Sequence, residues 1–156
     1  MDMNGNALPL PQQVADTLLK LDKFCVDPEK LWYYPRPGST IEVPLKSADG
    51  RELFSLDIEK HRVTLSKFKV QSRARKTLVL ARLDFGGPPH QNPDGKRIDG
   101  SHLHLYNEEY GDKVAVSLSE MPEFCKAAGM EDLIDRFMTF CHIIERPKFQ
   151  KEVSLA

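Results

Sequence analysis

Between Thr40 and Leu118 the chain is a succession of short segments whose apolar residues recur every second position, separated by connections of hairpin length. A period of two belongs to strands, where successive side chains point to opposite faces. The segments fall at 40–46, 52–59, 62–71, 78–85, 102–107 and 113–118. In the second, Phe54, Leu56 and Ile58 share a face, and Asp49-Gly50 just before it is a strong two-residue hairpin signal. A parallel crossover needs a dozen or more residues, so connections this short require antiparallel pairing. In the third segment the apolar phase slips from Val63 and Leu65 to Phe68 and Val70, which predicts a bulge near Ser66 and Lys67.

Helical periodicity is confined to the two ends. Residues 12–23 place Val14, Leu18 and Leu21 on one stripe, and 130–144 place Leu133, Phe137, Phe140, Cys141 and Ile144 on another. A shorter helix is expected between them, with Ser119 as N-cap, Pro122 in its first turn and Gly129 at its end. Strands segregated from helices predict an α+β fold: a mostly antiparallel sheet of five to six strands, one N-terminal helix and two C-terminal helices. The 156 residues are expected to form a single domain, 1–156, with loose tails at 1–10 and 148–156. Prolines at 28, 35 and 37 interrupt regular structure around Leu31, Trp32, Tyr33 and Tyr34, an aromatic patch expected to cap the core.

A net charge of −1 gives no global attraction to nucleic acid or anionic lipid, so electrostatic arguments rest on local clusters. No apolar run approaches the roughly 20 residues that span a bilayer, and the first residues do not read as a secretory leader. A cytoplasmic protein without a membrane partner is expected. Cys25, Cys125 and Cys141 are odd in number and widely spaced, which predicts buried free thiols in a reducing compartment.

Polar chemistry concentrates in residues 78–113. Here the apolar strand 78–85 is joined to the alternating strand His102-Leu103-His104-Leu105-Tyr106 by a loop rich in Gly, Pro, Asn and Asp. His102, His104 and Tyr106 must share a face, with Leu103 and Leu105 directed into the core. That arrangement has three readings. One is a solvated polar stripe. A second is proton transfer at a phosphodiester, with His104 and His102 exchanging protons, His90 positioning the substrate, and Arg82, Lys113 or Arg75 stabilising developing charge. The third is a metal site built from His90, His102, His104 and Asp84. The loop from Gly86 to Gly95 mixes residues that permit positive φ with prolines that fix φ, which specifies a shaped connection. Its backbone amides, with Lys96 and Arg97 after them, suit an anion.

A second cluster spans residues 60–76, with seven Lys or Arg and no acid. Lys67, Lys69, Arg73, Arg75 and Lys76, together with Lys96 and Arg97, are the expected phosphate contacts of a nucleic-acid surface, with Phe68 and Tyr110 as stacking platforms. The alternative is a solvated edge strand guarded by its lysines. No phosphate loop, nucleophile elbow or H-E-x-x-H motif is present.

The tripeptide Arg82-Leu83-Asp84, the G-P-P-H-x-N-P-D-G loop at 87–95, the H-L-H strand at 102–104 and the Y-G-D-K turn at 110–113 resemble the signature of an uncharacterised family of small bacterial and phage-associated proteins. The resemblance covers about residues 50–147, including the basic strand and a terminal helix with Phe137, Met138 and Cys141. It departs at Val114, where the family has an aromatic. It brings no activity or catalytic residue, but implies mobile-element biology, in which small proteins act as toxins, antitoxins or inhibitors of host defence. The alternating histidines are also similar to those of histidine triad hydrolases, but Tyr106 stands where their third histidine would be.

The leading expectation is a nucleic-acid-acting protein, a small metal-independent endoribonuclease of toxin type that needs no cofactor and prefers RNA to DNA. One alternative is a non-enzymatic mobile-element module that binds and inhibits a host defence or nucleic-acid-handling protein. The other is the histidine-based metal site.

Overall fold

A computed structural model describes residues 8–150, together with Met3 and Gly5. The elements run α1 (Gln12–Lys20), β1 (Phe24–Cys25), β2 (Leu31–Tyr33), β3 (Thr40–Lys46), β4 (Leu53–Lys60), β5 (Phe68–Ala74), β6 (Leu78–Phe85), β7 (His90–Gln91), β8 (Arg97–Ile98), β9 (His102–Asn107), β10 (Gly111–Ser117), α2 (Met130–Phe140) and β11 (Lys148–Gln150). Seven strands form one antiparallel sheet in the order β1-β3-β4-β5-β6-β9-β10. The chain meanders across it because each hairpin returns to its neighbour, as the short connections require.

The register sorts the residues into two faces. One row runs Ile41, Ile58, Val70, Leu83, Leu103, Val116, and the next Val43, Leu56, Ser72, Ala81, Leu105, Val114. This side packs against α1, over β6 and β9, and α2, over β5, and forms the core with Leu18, Ile134 and Phe137. The opposite rows are polar: Glu42, Asp57, Gln71, Arg82, His104 and, beside it, Thr40, Glu59, Lys69, Asp84, His102. Among the described residues no helix covers this second face. The loop 86–101, with its small β7–β8 hairpin, folds back over its β9 end, where His90 meets the His102 and His104 rings.

Lys23 ties the helix layer together. Its ammonium is fully buried and donates to the carbonyls of Leu18, Leu19, Leu21 and Cys141 at 2.8–3.0 Å, joining the ends of both helices. Burial pushes its pKa down to about 8.

Several expectations need correction. The sheet has a seventh strand, Phe24–Cys25, and the described residues form two α-helices, because the segment expected as a third folds into a 3-10 turn over Leu118–Glu120 followed by single turns. Pro122 supplies no N–H there, and the segment is too short to repay helix nucleation. The predicted bulge at Ser66 and Lys67 is absent because β5 starts at Phe68. Val63 and Leu65 lie exposed in the preceding loop, and the bulge falls between β5 and β6, where Ser72 pairs with Ala81 and Arg73 with Val79. Lys148–Gln150, expected in a loose tail, pairs in parallel with Leu31–Tyr33, and Phe149 stacks on Tyr34. The remainder of that tail, 151–156, lies outside the described residues, as does half of the expected leader at 1–10. Leu10 of that leader is placed, and its carbonyl accepts the Tyr106 hydroxyl. Cys25 and Cys141 are buried as expected, but Cys125 is exposed. No helix among the described residues is long and apolar enough to cross a membrane.

Asp57 anchors the polar face. It is buried, and its carboxylate accepts from Ser55 Oγ at 2.6 Å, Gln71 Nε2 at 2.7 Å and Arg73 Nε at 2.8 Å. Burial pushes the carboxyl up, but the Arg73 guanidinium and the two other donors outweigh it and hold it below the ordinary range. Between the folded value and the unfolded one, near 4, the unfolded chain binds the extra proton, so stability rises with pH there. Asp57 therefore contributes fully above about pH 4, and that contribution is lost as the pH falls through its folded value. Asp57→Asn is expected to lower stability at pH 7 and to flatten the acid limb of a denaturation series between about pH 5 and 2. An unchanged acid limb would remove this role.

Candidate metal centre

The site is built by strand pairing. Asp84 lies directly across from His102, and Arg82 across from His104. The side chains of each pair stand on the polar face because Leu83 and Leu103 claim the core. His90 arrives from the folded-back loop, so the three rings come together with centroids 4.7–5.4 Å apart.

Each imidazole has one nitrogen committed. His102 Nδ1 donates to the Gly100 carbonyl at 2.9 Å, His104 Nδ1 to the Asp112 carbonyl at 2.7 Å, and His90 Nε2 to the Lys113 carbonyl at 2.7 Å. A carbonyl only accepts, so those nitrogens carry the protons. In the neutral rings the lone pairs are then left on His102 Nε2, His104 Nε2 and His90 Nδ1. One nitrogen from each ring lies within 4.8 Å of the other two. His102 and His104 are almost fully buried, 3% and 2% exposed, and His104 Nε2 has no hydrogen-bond partner. A buried lone pair without a donor is a costly arrangement that a ligand relieves.

Asp84 completes the floor. Its Oδ2 is 3.3 Å from His104 Nε2, outside hydrogen-bond geometry, and 3.6 Å from His102 Nε2. Its Oδ1 is held by Arg82 Nε at 2.9 Å, and Arg82 Nη1 reaches Asp112 Oδ2 at 2.9 Å. Burial pushes the Asp84 carboxyl up, but Arg82 and the two imidazoles, when these carry a second proton, together hold it far below the usual carboxylate range. Its presence raises the pKa of His102 against the opposing effect of burial. With the rings in their neutral form the site combines three nitrogen donors with the Asp84 carboxylate, a set suited to a divalent transition-metal ion. Ligand atoms around a tetrahedral ion with bonds near 2.1 Å sit about 3.4 Å apart, which the Asp84 contacts already match.

These groups line a cleft of about 360 Å³ with Lys67, Lys69, Phe85, Pro88, Pro89 and Lys113. Of the residues singled out in the sequence, His90, His102, His104, Asp84, Arg82, Lys113, Lys67 and Lys69 meet in this cleft. Arg73, Arg75, Lys76, Lys96 and Arg97 do not line it. Arg73 is bound to Asp57 and Glu42, Arg75 to Glu52, Arg97 to Asp99, and Lys96 lies 4.0 Å from Glu120. Phe68 is buried against Phe85 and offers no stacking surface to a base.

Two functional residues escaped the sequence reading. Asp112 orients His104 through its carbonyl and Arg82 through its carboxylate. Asn92, read only as part of a turn, is the latch of the loop: its side-chain amide donates to the Ala115 carbonyl and its oxygen accepts from the Ala115 N–H, both at 2.8 Å. Gly86 supplies the left-handed backbone turn that starts the loop beside Lys67. Its φ is +72°, and a Cβ there would lie 3.4 Å from Lys67 Cα. Asn92→Ala is expected to cost about 1–3 kcal/mol by leaving two buried backbone groups unpaired, and to speed amide exchange at Ala115. Unchanged exchange there would mean that the latch is held by other contacts.

The model of a family of unknown function, DUF6978, matches residues 10–144, a span that includes every residue of the cleft. No curated protein and no solved structure shows detectable similarity.

Proposed function

The chain belongs to that family, and we propose that it is a metal-dependent enzyme whose ion is held by His90, His102 and His104 beside Asp84, on the floor of the cleft. One observation carries this reading: three imidazoles, each fixed through one nitrogen to a backbone carbonyl, crowd together with one ring nitrogen of each within 4.8 Å of the other two, and His104 Nε2 is buried there without a partner. A second-shell hydrogen bond that fixes tautomer and ring orientation is the usual support of a metal-binding histidine. Three histidines leave a coordination position for water or substrate, and an ion in such a site lowers the pKa of bound water to about 7 or polarises a substrate oxygen.

Metal-independent proton transfer by His102 and His104 fits this geometry less well. It needs two accessible rings on opposite sides of the reacting group. Here both rings are buried and face the same carboxylate oxygen. Asp84 adds a charge that favours a dication, and Arg82 fixes its orientation.

Metal-free protein titrated with Zn²⁺ in a calorimeter is expected to take up one equivalent. His102→Ala and His104→Ala should each lower the affinity at least a hundredfold with circular dichroism unchanged, and Asp84→Asn roughly tenfold. A chain that takes up no zinc, or whose histidine variants bind as the parent does, would refute the metal centre.

A further inference from the structure

The cleft also carries information about what it takes in. Four cationic side chains line it, and they are not equivalent. Arg82 is neutralised by Asp84 and Asp112. Lys67, Lys69 and Lys113 have no acidic partner among the described residues. Three unpaired ammonium groups around a would-be dication make a strongly positive pocket, and such a pocket selects an anion with several oxygens.

The positive potential stops at the rim of the cleft. In the basic run Arg73 and Arg75 are held in ion pairs, and Lys96 and Arg97 face Glu120 and Asp99. The next groove along the open face of the sheet sets Glu42, Asp57 and Glu59 against Lys69, Arg73 and Arg82, and both arginines are held in ion pairs. A polynucleotide gains its affinity from successive phosphate contacts along a basic track, and here the cations beyond the cleft are matched by carboxylates. The volume of about 360 Å³ is at the small end of ligand sites. Phe85, Pro88 and Pro89 give the pocket an apolar wall for the rest of the ligand.

Resting on the metal-centre reading, we infer that the substrate is a small phosphate ester. Its phosphate bridges the bound ion and the ammonium groups of Lys67, Lys69 and Lys113, and its organic part lies against the proline wall. Arg82 is a positioning residue for Asp84 and does not bind the phosphate.

The test uses the full chain loaded with Zn²⁺, with inorganic phosphate as the probe and a twelve-nucleotide single-stranded RNA as the competitor class. Zinc stoichiometry is measured separately in every sample. Phosphate is expected to bind saturably to the loaded parent. The double variant Lys67→Ala/Lys69→Ala, and separately Lys113→Ala, should each weaken phosphate at least tenfold while retaining one equivalent of zinc. RNA is expected to bind the parent no better than inorganic phosphate does. Zinc uptake without phosphate binding, phosphate binding indifferent to the lysines, or RNA binding tighter than phosphate would each overturn the substrate class and leave the metal centre standing. Failure to take up zinc would overturn the centre itself and the bridging ligand with it.

Discussion

The pairing of β6 with β9 is the constraint from which the site follows. Setting Leu83 opposite Leu103 in the core leaves Asp84 opposite His102 and Arg82 opposite His104 on the other face. A slip of one residue would send both histidines toward the helices. The apolar row thus fixes the reactive row, and the core under α1 and α2 is also what holds the imidazoles in place. What the register cannot do is choose a nitrogen. That choice is made by three carbonyls, of Gly100, Asp112 and Lys113, all in turns or on the edge strand β10, so the chemistry of the rings depends on backbone that lies outside the paired rows.

The open face is unusual in carrying so many ion pairs. Asp57 with Arg73, and Asp84 with Arg82, stand on strands that are not at the sheet edge, and both carboxylates are buried although no helix layer covers them among the described residues. Their neighbours in the row supply the shielding. Long side chains lying flat across a sheet exclude water from one another and keep the local dielectric low enough for charge pairing to shift the carboxyl groups down. The same packing explains why the basic segment does not present its charge. Arg73 and Arg75 reach sideways to acids one or two strands away, while Lys67 and Lys69 line the cleft.

Much of this architecture was legible in the sequence. The strands at 40–46, 78–85 and 102–107 coincide with what the alternation predicts, because each has an apolar face to bury and so a fixed phase. The shared face of His102 and His104 follows from the same rule. Phe24–Cys25 was not legible, since two residues have no period, and neither was Lys148–Gln150, whose partner strand is distant in the chain. Val63 and Leu65 misled because they resemble a strand start yet lie exposed. Within the site, His90, His102, His104 and Asp84 were identified as one possible donor set, but composition cannot show a loop folding back, and nothing in an Asn-Pro-Asp-Gly string reveals that its first residue reaches another strand. The basic run was visible as charge, while its neutralisation depends on cross-strand neighbours such as Asp57, which sequence distance hides.

The latch formed by Asn92 has a consequence apart from holding His90. Strand β10 is the last of the sheet, and its outer N–H and C=O groups would otherwise be open to another chain. By offering both an oxygen and an NH₂ to Ala115, the Asn92 side chain imitates a neighbouring strand for one residue pair, and the loop that carries it shields that border of the sheet. The roof of the cleft is therefore also a guard against intermolecular strand addition. A chain that loosened this loop to admit larger molecules would give up that guard and become prone to self-association along β10.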